Sequence, residues 1–194
     1  MQELRNLTDA IWINILMVVT SIPIVTVGAA ITAAHDANRR ALQGEAGGVT
    51  RNYFKAFRAN FAESTALWAV FGITGAALAY AWVVLQITPL LVPKIGLTLV
   101  WIIGFEWVFA LQARFENTVG RTLANAFVFG ISHILLTVGM IVLDAIWVGL
   151  LAACWFLFPQ GLFLLVVMGY GTVILCHIPL LERGFAQYLK SGEE

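Results

Sequence analysis

Hydrophobic residues in this chain fall into long runs separated by short charged stretches, the pattern of helices that cross a bilayer rather than of soluble helices with one apolar face. Five runs approach the ~20 residues needed to cross a ~30 Å hydrocarbon core. They are residues 11–34, 65–88, 95–113, 134–158 and 161–181, with Pro159-Gln160-Gly161 turning the last pair. Residues 122–158 are apolar except at a few positions, and as one helix they would measure roughly 55 Å. Thr122 to Ser132 is therefore expected at the interface or beyond it. The first run, Ile11 to Ala34, exceeds the roughly 7–15-residue core of a signal peptide, and Arg5 is outnumbered by Glu3 and Asp9 where a cationic start would be needed. A retained helix is the expectation. The pattern predicts a single all-α transmembrane domain over 1–194, a helical bundle of about five transmembrane helices.

The one sizeable soluble segment is a loop at residues 35–64. Gly44, Gly47 and Gly48 interrupt it, and Thr50 is placed to cap a helix on which Tyr53, Phe54, Phe57 and Phe61 share one side. Arg51, Lys55 and Arg58 fall on another side. An aromatic stripe beside a basic one suits an amphipathic helix in the headgroup layer, in contact with lipid or with a partner protein. Along residues 65–88, Gly72 and Ala76, and Gly75 and Ala79, repeat at four-residue spacing. Such small residues let another helix approach closely, within the chain or in a partner. No internal repeat of the kind that builds many secondary transporters stands out.

Composition and charge sharpen the class. Apolar residues make up 60% of the chain, against roughly 45–50% in soluble domains. Eleven Lys plus Arg balance eleven Asp plus Glu, so the overall cationic excess of a nucleic-acid binder is missing. Cys154 and Cys176 lie in separate apolar runs, where a thiol behaves as a small hydrophobe. With five spans, one side carries Arg39, Arg40, Arg51, Lys55, Arg58, Arg114, Arg121, Arg183 and Lys190, the other only Arg5 and Lys94. That bias places the C-terminus in the cytoplasm and the N-terminus outside, unless the region of Pro23 turns back within the membrane.

Inside the apolar runs, Glu106, His133, Asp144 and His177 are the candidate buried polar residues. A lone carboxylate at the Glu106 position would cost roughly 2.5–3.5 kcal/mol on insertion scales. Glu106 is thus expected to be protonated, paired or water-exposed, serving either interhelical hydrogen bonding or transport. His133 and Asp144 would share a face of one helix with Thr137 and Met140, about 16 Å apart along its axis. His177 can meet them only by tertiary packing. No H-E-x-x-H or C-x-x-C spacing marks a metal site, no Gly-x-Ser-x-Gly elbow marks a hydrolase, and Met168-Gly169-Tyr170-Gly171 lacks the order of a potassium filter. No cofactor, metal or enzymatic activity is expected. Arg114 at the end of the third run complements the helix dipole, with a salt bridge to a neighbouring span as the alternative.

Three stretches carry a family resemblance. They are Asn14 with Ser21-Ile22-Pro23-Ile24-Val25-Thr26-Val27-Gly28-Ala29 and Thr32-Ala33; Gly44-Glu45 with Tyr53-Phe54-Lys55-Ala56-Phe57-Arg58-Ala59-Asn60-Phe61; and Ala113-Arg114-Phe115-Glu116-Asn117-Thr118 with Leu123-Ala124-Asn125-Ala126-Phe127. Together they resemble the YesL-like bacterial membrane proteins, DUF624, over about residues 4–145. Met17 stands where that family commonly has tryptophan, and His35 where tyrosine is frequent. The resemblance implies no enzymatic residues. It implies an accessory or scaffold subunit in a bacterial cell membrane, associated with the permease subunits of a carbohydrate ABC importer. The chain has no Walker A motif to power transport itself. The alternative expectation is a small homo-oligomeric transporter or channel working through Glu106.

Overall fold

The computed structural model describes residues 2–45 and 48–190. Gly47, one of the expected loop breakers, lies outside them. The helices in chain order are α1 (Gln2–Thr20), α2 (Val27–Leu42), α3 (Val49–Ala59), α4 (Phe61–Val84), α5 (Leu91–Arg114), α6 (Val119–Ser132), α7 (Ile134–Leu157) and α8 (Gly161–Lys190), with short 3-10 turns at Ile24–Thr26 and Thr88–Leu90. No strand occurs among the described residues. Among the described residues, four segments are long and apolar enough to cross a membrane: Phe61–Val84, Thr88–Arg114, Ile134–Leu157 and Gly161–Ala186. In α4 and α7 only 11% of the apolar window is buried inside the protein. Surfaces so apolar and so uncovered require lipid as their solvent, and the protein is a membrane-embedded helical bundle.

The first apolar run is the one that departs from expectation. Residues 11–34 do not form one span, because the chain breaks between Thr20 and Val27. Pro23 lacks the N–H a continuing helix needs and disfavours helical geometry at Ile22; its own backbone is extended, at φ −73° and ψ 110°. Three pairings show that α2 then runs back beside α1. Thr20 meets the Tyr53 hydroxyl, which reaches the Ala30 carbonyl. Asn14 and Asn38 both bond to Gly171. Arg5 and Asp9 share a recess with Ala41 and Glu45. The uncharged limb from Ala10 to Thr20 rises roughly 16 Å, about half the hydrocarbon thickness. Its tip, at Ile24 and Val25, lies against Trp68, Gly72 and Ile73 near the middle of α4. A helical hairpin that enters and returns replaces the expected first crossing. It is held close to α4 because Gly28 has no side chain where Ser64 and Trp68 approach, and the Ser64 hydroxyl donates to Thr32 at 2.8 Å.

With the chain turning back at Pro23, the exception to the expected separation of the chain ends applies. Glu45, beside Arg5, pairs with Arg40 and Arg39, while Arg39 shares a recess with Arg114 and Glu182. The start of α1 and the end of α8 therefore lie at the same end of the bundle.

The remaining helices pack as antiparallel neighbours. Trp82 donates to Thr98 and Trp101 to the Phe71 carbonyl, both at 3.0 Å, which fixes α4 against α5. α6 returns along the second half of α5, with Thr122 donating to Gln112 at 3.0 Å and Gly130 against Ile103. Residues 122–132 are thus a helix of their own, set off from α7 by a break at His133, where φ is −115° and ψ 47°. α7 and α8 meet at Leu136 with Gly184 and at Gly139 with Leu180. Trp107, Phe109, Phe129, Met140 and Phe185 form one core, while Ile13, Ala30, Ala34, Tyr53 and Ile174 form a second between the hairpin and α8.

Candidate functional site

α8 is interrupted opposite the hairpin. Gly169 has φ 55° and ψ −173°, a backbone region essentially confined to glycine. The interruption frees backbone groups that lipid could not satisfy. Asn14 supplies the partners: its amide donates to the Val166 and Val167 carbonyls, both at 3.0 Å, and its side-chain oxygen accepts from the Gly171 N–H at 3.2 Å. Asn38 donates to the Gly171 carbonyl at 3.3 Å. The polar side chains of the hairpin and the break in α8 are one structure.

Directly after this break lies the most concentrated polar chemistry in the interior. Tyr170 and His177 are seven positions apart on α8 and share a face. The Tyr170 hydroxyl donates to Asp144 Oδ2 of α7 at 3.2 Å, and His177 Nε2 stands 3.4 Å from Asp144 Oδ1. Glu106 of α5 approaches Asp144 from the third side. One ligand-capable atom from each of Glu106, Asp144 and His177 can be chosen so that all lie within 4.8 Å of one another. Glu106 and His177 are buried and Asp144 half-buried. His35 of α2 adds a second buried imidazole on the side of the interior facing the charged end. Two carboxyl groups in contact need a proton or a cation between them, since ionised carboxylates only accept.

The structure thus assembles three of the four buried polar residues singled out in the sequence. His133 is excluded. It sits at the break before α7, stacked on Phe129 with ring centroids 5.7 Å apart and 5.9 Å from Trp107, so it shares no helix face with Asp144. Tyr170 was not among the sequence candidates. The seven-residue spacing to His177 was the available signal.

A second polar site lies at the end of the bundle that carries the start of α1 and the end of α8. Asp36 binds Arg39 and Arg40, each at 2.7 Å, and Arg40 also binds Glu45 at 2.6 Å. The Asp36 hydrogen bond, foremost, holds the Arg40 guanidinium above its ordinary pKa. These arginines border an open cleft of about 740 Å³ that Lys55 of α3, Asn60 at the junction and Glu63 of α4 line on one side, and Gln112 and Arg114 of α5 with Glu116 just beyond it on the other. Arg114 reaches Glu182 of α8 at 3.5 Å, so the neighbouring-span pairing holds at this position.

The loop helix α3 only partly matches its expected role. Tyr53 is wholly buried against α1 and α2, where burial raises its phenol to about 12 against the opposing hydrogen bond from Thr20. Phe57 packs on the same cluster, while Phe54 and Phe61 are exposed beside Arg51, Lys55 and Arg58. The aromatic stripe is therefore half core and half surface. Gly48 rather than Thr50 precedes the helix, and the Thr50 hydroxyl accepts from Trp12 at 2.8 Å. Of the small residues on α4, Gly75 meets the Trp101 ring, Gly72 faces open space, and Ala76 and Ala79 are exposed. Their neighbour inside the chain is an indole, not a helix backbone.

The model of the family described as "Protein of unknown function, DUF624" matches residues 10–82. That segment is similar to DUF624. It contains the hairpin from Ala10 onward, the Asp36 cluster, α3 and nearly all of α4, so the matched residues build one wall of the cleft and the partners of the α8 break. The similar stretch at 113–127 lies beyond the match, as do Glu106, Asp144 and His177. No curated protein and no solved structure matches the chain.

Proposed function

We propose that this protein is an accessory or scaffold subunit of a carbohydrate ABC importer in a bacterial cell membrane, without ATPase activity of its own. The observation that carries the reading is the charged cleft. It is open, it gathers both signs of charge, and one of its walls comes from the DUF624-like segment. We place this end in the cytoplasm, with both termini, because ten of the eleven cations lie on it and only Lys94 at the other end. Lys94 is itself occupied there, donating to the Leu85 carbonyl at 2.9 Å and lying over the Trp82 ring at 4.9 Å. Cytoplasmic loops are where importer permeases and their ATPases meet, so a cytoplasmic cleft of mixed charge suits a polar, partner-specific contact.

The chain tagged at its C-terminus and extracted from native membranes in mild detergent should carry importer permeases or their ATPase in stoichiometric amount, identified by mass spectrometry. Reversing charges with Lys55→Glu and Glu63→Lys should reduce that recovery about tenfold, the effect of losing roughly 1.4 kcal/mol of binding. A clean homo-oligomer from native membranes rejects the reading.

A second reading, a small homo-oligomeric transporter or channel, draws on the interrupted α8 beside the Glu106–Asp144–His177 cluster. Discontinuous helices with buried acids are the usual setting of ion and substrate sites in transporters. Proteoliposomes of the wild type should then pass protons or a monovalent cation, and Glu106→Gln should slow that flux at least tenfold. A wild type that passes neither ends this reading.

A further inference from the structure

We propose that Glu106, Asp144 and His177 form a binding site for one divalent transition-metal cation of the zinc class inside the bundle. The donor set is one imidazole nitrogen and two carboxylates from three different helices, α5, α7 and α8. Three protein ligands with a remaining open position match the pattern of exchangeable zinc sites rather than closed structural ones. His177 Nε2 and Asp144 Oδ1 face each other at 3.4 Å, and neither has a hydrogen-bond partner. Two ligands of a tetrahedral ion with bonds of ~2.0–2.1 Å stand about 3.3 Å apart, so this pair already has the spacing a shared cation sets. His177 is only 1% exposed, which makes its unpartnered nitrogen costly unless something binds it.

Charge and surroundings agree with the donor set. Two carboxylates neutralise a divalent cation, removing the expense of an isolated charge in a low-dielectric interior. The Tyr170 hydroxyl holds Asp144 Oδ2, the kind of outer contact that orients a metal ligand. The mixed nitrogen and oxygen donors favour zinc over calcium or magnesium, which take oxygen-rich shells. Occupancy by such an ion is independent of the importer partnership, because the ligands all lie within one chain and away from the cleft walls.

The test uses the full chain purified in detergent, stripped with a chelator and dialysed against Zn²⁺ alone, with bound metal quantified. One Zn²⁺ per chain is expected. Asp144→Asn and His177→Gln should each weaken binding at least tenfold, while Cys154→Ser with Cys176→Ser should leave it unchanged. Because a variant at a buried site can misfold, the wild type loaded with Co²⁺ gives a second readout that needs no substitution. Its visible bands should show nitrogen and oxygen ligation without sulfur-to-cobalt charge transfer. Absence of stoichiometric Zn²⁺, binding that survives both ligand substitutions, or a thiolate band would each overturn the site. None of these outcomes bears on co-purification with an importer, so the two proposals fail separately.

Discussion

Gly169→Ala should destabilise the folded protein by about 4 kcal/mol or more, the sum of roughly 1–3 kcal/mol of backbone strain and the loss of hydrogen bonds buried beside it. The φ of 55° with ψ of −173° excludes a side chain on steric grounds alone. A Cβ there would also run into the Asn14 carboxamide. Asn14 cannot withdraw cheaply, since it satisfies two carbonyls and one N–H of the interrupted helix. Displacing it leaves backbone polar groups unpaired in an apolar interior. Gly96→Ala is the matched control: it lies within α5, nothing stands within 4 Å of its added Cβ, and helix propensity gives it up to about 1 kcal/mol of stabilisation. Unfolding in detergent, followed by circular dichroism, should separate the two variants widely. Coincident melts of Gly169→Ala and wild type would show that α8 can regularise and that the hairpin does not depend on its break.

Trp107→Ala should cost about 3 kcal/mol, almost all of it from the cavity and lost dispersion contacts. Between helices in lipid the hydrophobic driving force is largely absent, so packing carries the association. Trp107 is fully buried where α5, α6, α7 and α8 converge. Its ring lies 5.7 Å from those of Phe129 and Phe185, its edge fills the space left by Gly184, and its N–H donates to Thr137 at 2.9 Å. Trp107→Phe should recover part of the loss by refilling the volume without the donor. Denaturant unfolding in detergent gives the ordering wild type, Trp107→Phe, Trp107→Ala. Equal stability of wild type and Trp107→Ala would mean that the surrounding helices close the space.

The residues that depart from their sequence expectation do so for identifiable reasons. Residues 11–34 are apolar enough to cross, and hydropathy has no means of distinguishing a crossing from a hairpin of the same composition. Pro23 was the only local warning, and the contacts of Asn14 and Asn38 with α8 made the return possible. Tyr53 and Phe57 have the spacing of a lipid-facing stripe, yet α2 offers alanines at Ala30, Ala33 and Ala37 against which rings pack more closely than against acyl chains. His133 followed the helical period of the run 122–158 in sequence, but the break at that very residue cancels the angular argument.

By itself, the sequence determined the class: a membrane-embedded, all-α chain, with charge concentrated at one end and an acid at Glu106 that lipid would not tolerate alone. Those properties follow from run length and composition, which are local and additive. Tertiary structure decided which apolar run turns back and where α8 opens. It also decided that Glu106, Asp144 and His177 meet while His133 stays away. Helical periodicity gives the face of a residue about its own axis. The register and crossing of one helix on another are set by which side chains fit between them, as Gly28 fits Ser64 and Gly184 fits Trp107. In lipid, where every face is apolar, no hydrophobic period announces that choice in advance.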